Sequence, residues 1–204
     1  MKTRMMSEIA FMSVLVFLFD LISHFLPIPG TTEGLSLYMV PIFLISFKHG
    51  VRAGMTTGIL SSMLFLLFGH FHIFVWQQFL LDYILGLSVL GIAGIYKNKI
   101  QSCDCNCDSR SIYILSGIIY AVIIKYILFS LSIYLFVNEY FEHNSLFNNI
   151  DSSILFALLY AFIGIAPSAI LSAIILVTSF KKYGNSILGM WFILMIEKIY
   201  MEIE

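Results

Sequence analysis

Charge is scarce in this chain of 204 residues, with Asp, Glu, Lys and Arg making up only 11% of it. Soluble domains usually carry about 25%. Cysteine is scarcer still: there are three, and all fall within CDCNC, residues 103–107. A disulfide framework spread over several loops is therefore excluded. The sequence has no GxxxxGK[ST] loop, so it does not hold ATP by that means. It has no nucleophile elbow, no HExxH pair and no obviously partnered catalytic carboxylates, which argues against an enzyme. Its two halves do not repeat one another as those of many secondary transporters do. A net charge of −1 gives no electrostatic basis for nucleic-acid binding.

What the chain has in abundance is apolar surface. Hydrophobic residues make up 60% of it, phenylalanine occurs 19 times, and the mean hydropathy is +0.95. One small soluble core has no room for so much, so a lipid bilayer is the expected solvent. The basic start and apolar run of MKTRMMSEIAFMSVLVFLFD look like a signal peptide, but no small-x-small cleavage site follows. The segment is expected to stay as a first membrane helix.

Six spans are read, at about 7–27, 35–47, 53–69, 74–96, 111–137 and 152–179. The second, LSLYMVPIFLISF, is shorter than the ~20 residues of an ordinary span, and Pro41 is expected to kink or tilt it. Lys2 and Arg4, then Lys48 and Arg52, then Lys97, Lys99 and Arg110, then Lys181 and Lys182 fall on alternate connections. The other connections, HFLPIPGTTEG, GHFHIF and NEYFEHNSLFNN, hold no Lys or Arg. The positive-inside rule then puts both termini in the cytoplasm of a multi-pass cell-membrane protein. The expected fold is an all-α integral membrane bundle of six helices over residues 1–182. Residues 183–204 follow as an amphipathic tail, either an interfacial helix or a marginal seventh span.

Gly50, Gly54 and Gly58 recur every fourth residue at the start of span three. Such a ridge lets helix backbones approach closely, although GxxxG is also frequent by chance in membrane helices. Span four adds Gly86, Gly91 and Gly94, and span six adds Gly164, Ala166 and Ser168.

Three ionisable residues lie within the spans. Asp82 is ~12 Å below the outer end of span four at 1.5 Å per residue. Asp20 is at a similar depth in span one, and Lys125 is near the middle of span five. An unpaired charge in lipid is costly, so these groups are expected to face the bundle interior. Two arrangements fit them. Asp82 or Asp20 can offer a negative site to a cationic ligand entering from outside, with Trp76, Tyr83, His72 and Tyr126 supplying flat ring surfaces. Alternatively, Lys125 pairs with a carboxylate and fixes the helices. Trp76 and Tyr38 also suit an interfacial aromatic belt.

His70 and His72 in GHFHIF form an H-x-H pair, which alone is a weak metal signal. The CDCNC stretch could hold a soft metal through Cys103, Cys105 and Cys107, but its C-x-C spacing is not that of a zinc knuckle. A loop with incidental thiols is the simpler reading, and no metal or cofactor is expected.

SEIAFMSVLVF in span one, PIFLISFKHGVRAG, FGHFHIFVWQQFLLDYILGLSVLGIAG through span four and VIIKYILF in span five occur in that order. In this set the chain resembles the substrate-binding membrane subunit (S component) of energy-coupling factor transporters, specifically the thiamine transporter group, over residues 7–182. The resemblance implies a six-helix subunit that binds thiamine from outside. It also implies a transmembrane coupling subunit and two cytoplasmic ATPases as partners. The family's ligand acid, usually Glu, matches Asp82, and its neighbouring tyrosine matches Tyr83. Phe129 stands where a histidine is expected, His72 where a tyrosine is usual, and Thr32 and Ser61 near usual tryptophan positions. YAFIGIAPS in span six lacks the expected asparagine. These departures bear on the ligand more than on the architecture, and leave another vitamin, precursor or cationic nutrient as an alternative. The small-residue patch that meets the coupling subunit matches Ala10, with Ser13 beside it, while Val14 and Val16 are bulkier than the usual alanines. A ligand-free structural or assembly protein is the alternative of another class.

Overall fold

The structure is a computed structural model that describes residues 2–23, 34–35, 37–68, 76–102, 107–136 and 153–183. They form helices α1 (Lys2–Ser23), α2 (Met39–His49), α3 (Val51–Phe68), α4 (Trp76–Ser102), α5 (Cys107–Leu135) and α6 (Ser153–Tyr183). Five of them, all but α2, are long and apolar enough to cross a membrane. The six-helix expectation is met. The tail beyond Tyr183, the GHFHIF turn and the side chains of CDCNC lie outside the described residues.

The shortest helix is the most enclosed. Every residue of α2 from Met39 to Phe47 is buried, and α2 packs against α1, α3, α4 and α6. A helix hidden from lipid on all sides has no bilayer to match in length, so eleven residues suffice. Pro41 does not kink it. It is the third residue of α2, in the first turn, where backbone N–H groups have no partner within the helix in any case.

A short buried helix must satisfy its last four carbonyls without water, and α2 does so completely. Ser46 O accepts from the Gly50 N–H at 2.8 Å. Gln101 Nε2 donates to Phe47 O at 3.1 Å and Lys48 O at 3.0 Å. Lys97 Nζ reaches His49 O at 3.4 Å. Gly50 alone then joins α2 to α3, with φ +96°, a conformation that costs a residue with a Cβ ~1–2 kcal/mol.

The glycine ridge of α3 packs against the second half of α4. A Cβ on Gly58 would lie 2.6 Å from the Leu87 carbonyl, and one on Gly54 2.7 Å from Gly91 Cα. A Cβ on Gly94 would lie 2.6 Å from Val51 N. Here α4 tightens into a 3-10 helix over Leu90–Tyr96. The small residues of α3 and α4 thus face each other, and the backbones touch.

These contacts bring all the basic helix ends to one end of the bundle. Glu8 of α1 meets Lys48, Gln101 of α4 meets the end of α2, and a Cβ on Gly117 of α5 would lie 3.2 Å from the Phe47 ring. Phe180 of α6 meets Phe47 edge-on at 6.3 Å. This basic end contrasts with the aromatic end opposite.

Candidate ligand site at the aromatic end

The aromatic half of α4 is not a regular α-helix. After one turn at Trp76–Phe79, residues Leu80–Leu85 widen into a π-helix, closed where the Gly86 N–H reaches back five residues to Leu81 O. Short π segments inside α-helices occur frequently at functional sites. This one contains both Asp82 and Tyr83.

Asp82 is half-buried, and its Oδ1 is shut off from solvent. The Tyr83 ring stacks on Phe79 at 5.4 Å and meets Phe65 edge-on at 5.5 Å. Phe65 in turn meets Phe17 at 5.6 Å, and Phe79 meets Trp76 at 6.2 Å. A row of rings therefore runs from α1 across α3 to the start of α4. Trp76 ends that row and is 68% exposed.

Helix α5, which packs against the π turn, carries Lys125, which is only 5% exposed. Its ammonium donates to the Tyr38 hydroxyl and lies 4.5 Å from the centroid of the Tyr38 ring. Tyr38 immediately precedes α2 and is itself buried. It is a partner of a buried cation and not part of a lipid-facing belt. The stem of Lys125 is held within the bundle, so it does not snorkel.

Phe129, one turn further along α5, is buried in the same apolar cluster as Tyr38 and Phe65, and Tyr83 and Tyr126 pack against that cluster. The Tyr126 hydroxyl donates to Leu158 O of α6 at 3.1 Å, so its polar tip ties α5 to α6. Asp20, near the end of α1, is half-buried, and its carbonyl accepts from Ser23 Oγ at 2.6 Å. Ser61 is fully buried and donates to Thr57 O at 2.7 Å. Thr32 and His72 lie outside the described residues. Among the described residues no three His, Cys, Asp or Glu side chains are grouped so as to hold a metal.

The basic end holds a cluster that the sequence reading missed. Glu8 is 2% exposed and accepts from Lys48 at 2.6 Å and His49 at 2.7 Å, with Arg4 at 3.5 Å. The available signal was an acid within the apolar run SEIAFM, at the same predicted level as SFKHG. A buried carboxylate held by Lys48, His49 and Arg4 ties α1 to the α2–α3 turn.

On α1, Met6, Ala10, Val14, Leu18 and Ile22 form one exposed row at four-residue spacing. Ala10 is the small notch in it. Ser13 points the other way. It is buried, bonding Ile9 O at 2.8 Å and Thr57 O of α3 at 3.3 Å. Beside the row, an apolar groove of about 420 Å³ runs between α1 and α3, lined by Met5, Met6, Ile9, Ala53, Ile59 and Leu60.

Comparison with known proteins agrees with this architecture. A solved structure of ThiT from Listeria monocytogenes superposes with a TM-score of 0.81 at 20% identity, covering 92% of this chain and 98% of that one. The thiamine transporter ThiT of Bacillus subtilis (strain 168) is 38% identical over 95 residues, 46% of this chain and 49% of that protein. That match spans about half the length of the relative. The model of the thiamine transporter protein family (Thia_YuaJ) matches residues 6–188. With that match running through all six helices of the membrane bundle, the chain belongs to the thiamine transporter protein family, a family of transporters and not of enzymes.

Proposed function

We propose that this protein captures thiamine at the aromatic end of the bundle and is the substrate-binding subunit of an energy-coupling factor transporter. The observation that carries the proposal is the π turn, which sets Asp82 and Tyr83 side by side among buried rings. Thiamine presents a cationic ring and an aminopyrimidine. A half-buried carboxylate suits both the positive charge and the amino donor, and aromatic walls suit the flat rings.

In this reading Asp82 is the ligand acid, Tyr83 and Phe129 are walls, and Lys125 with Tyr38 braces the far side. Tyr126 contributes its ring, since its hydroxyl is committed to α6. Asp20, Trp76 and His72 serve the approach to the site. The basic end then faces the cytoplasm, in line with the positive-inside rule.

The chain lacks a P-loop, so energy comes from two cytoplasmic ATPases through a membrane coupling subunit. The exposed row on α1 offers that subunit a surface, with Ala10 and Val14 on it. Ser13 acts indirectly by fastening α1 to α3. A second ligand stays in view because Phe129 replaces a hydrogen-bonding histidine, which favours a ligand with fewer polar groups at that wall.

Titration of thiamine into the purified protein tests the site. Asp82→Asn is expected to weaken binding about 100-fold, some 2.7 kcal/mol. Unchanged affinity contradicts the assignment. Thermal stabilisation by another vitamin or a thiamine precursor, and none by thiamine, favours the second ligand. Co-purification with a membrane subunit and ATPases tests the energisation.

A further inference from the structure

The π turn poses a problem that the ligand reading alone does not address. Widening a helix by one residue pulls a carbonyl away from its regular donor, and in a membrane interior no water replaces that donor. The affected stretch is the one that carries Asp82 and Tyr83, so whatever stabilises it also sets their positions.

The neighbour that meets it is Ser62 of α3. Ser62 is fully buried. Its Oγ lies 2.9 Å from Tyr83 O and 2.8 Å from Gly58 O. One hydroxyl proton serves these two acceptors. Gly58 O sits in the regular ladder of α3, where a backbone N–H four residues on already serves it. Tyr83 O sits in the widened turn and shares the Gly86 N–H with Leu81 O, so half of one backbone donor is left to it and the Ser62 proton adds more there.

Ser62 is also delivered with precision. One turn away, Gly58 lets the α3 backbone press on Leu87 and Ser88, directly after the π turn, with a Cβ position only 2.6–2.7 Å from their backbone atoms. On the other side of Ser62, Phe65 meets the Tyr83 ring. Gly58, Ser62 and Phe65 therefore form one strip of α3 fitted to the π turn.

We infer that Ser62 is a positioning residue for ligand binding: its hydroxyl, bonded to the Tyr83 carbonyl, fixes the π register that aims Asp82 and Tyr83 at the ligand. It touches no ligand itself. This inference rests on the site proposed above.

A double-mutant cycle with thiamine as the probe tests it, using Ser62→Ala, Asp82→Asn and the two combined. Ser62→Ala is expected to weaken thiamine binding about tenfold, the size of one lost buried hydrogen bond. In the Asp82→Asn background the same change is expected to cost less than about threefold, because residues acting as one unit are not additive. Ser62→Cys, close in size but a weak donor, is expected to fall between Ser62→Ala and the parent, and serves if the alanine variant does not fold. Equal factors in both backgrounds overturn the inference, since Ser62 then acts independently of Asp82. So does unchanged affinity in Ser62→Ala when Asp82→Asn binds weakly. Unchanged affinity in Asp82→Asn instead overturns the underlying site.

Discussion

The two ends of this bundle solve the problem of buried polarity in opposite ways. At the basic end the polar groups around α2 are met locally. Glu8 is surrounded by Lys48, His49 and Arg4, the four last carbonyls of α2 each have a donor, and glycines bring α3 against a tightened α4. At the aromatic end the same helix α4 loosens into a π turn, and polar groups are set among rings. One helix is thus tight at one end and wide at the other. In the proposed reading the tight end is the frame and the wide end is the site.

The sharpest way to break that division is to damage the frame. Glu8→Ala leaves the partly exposed Lys48 and His49 beside a missing anion. It is expected to cost about 3 kcal/mol of stability, read as a large fall in melting temperature in detergent. Gly58→Ala forces α3 away from Leu87 and is expected to cost about 2 kcal/mol, with thiamine affinity weakened in step because the π turn follows directly. Tyr38→Phe removes one acceptor of the Lys125 ammonium while keeping its ring, and is expected to cost about 1 kcal/mol. Its measurement is a melting curve with and without thiamine. The smallest effect is expected from Val14→Ala on the exposed row of α1. Stability should move by less than about 0.5 kcal/mol, whereas uptake in cells carrying the coupling subunit and ATPases is the readout that would reveal a docking surface there.

Much of the frame was legible in the sequence. Long apolar runs mark five helices because lipid demands length and hydrophobicity together. The Lys and Arg alternation kept the short second segment in the count. GxxxG spacing pointed to close packing, though not to its partner, because facing glycines in α3 and α4 carry no mutual signal. Pro41 was misjudged for want of the helix start: one residue type kinks a helix in its interior and is harmless in its first turn. The Glu8 cluster stayed hidden since its members are about forty positions apart along the chain.

The proposed site stands out in composition but not in geometry. An acid in an apolar run stands out, as Asp82 and Lys125 do. The π turn does not, because LLDYIL has no pattern that distinguishes five-residue from four-residue hydrogen bonding. Tyr38 read as a belt aromatic, and only the approach of α5 to the start of α2 makes it the partner of Lys125. Ser62 carries no signal of its own in the sequence, and its inferred role depends on which carbonyl lies across from it.

The most direct measurement places one change at each end and titrates both variants with thiamine. Asp82→Asn at the wide end and Glu8→Gln at the tight end are compared with the parent protein by calorimetry at a temperature where all three are folded. The account predicts that Asp82→Asn loses about two orders of magnitude in affinity while Glu8→Gln stays within about threefold of the parent. Full affinity in Asp82→Asn with a collapse in Glu8→Gln would put the ligand at the wrong end and contradict the account.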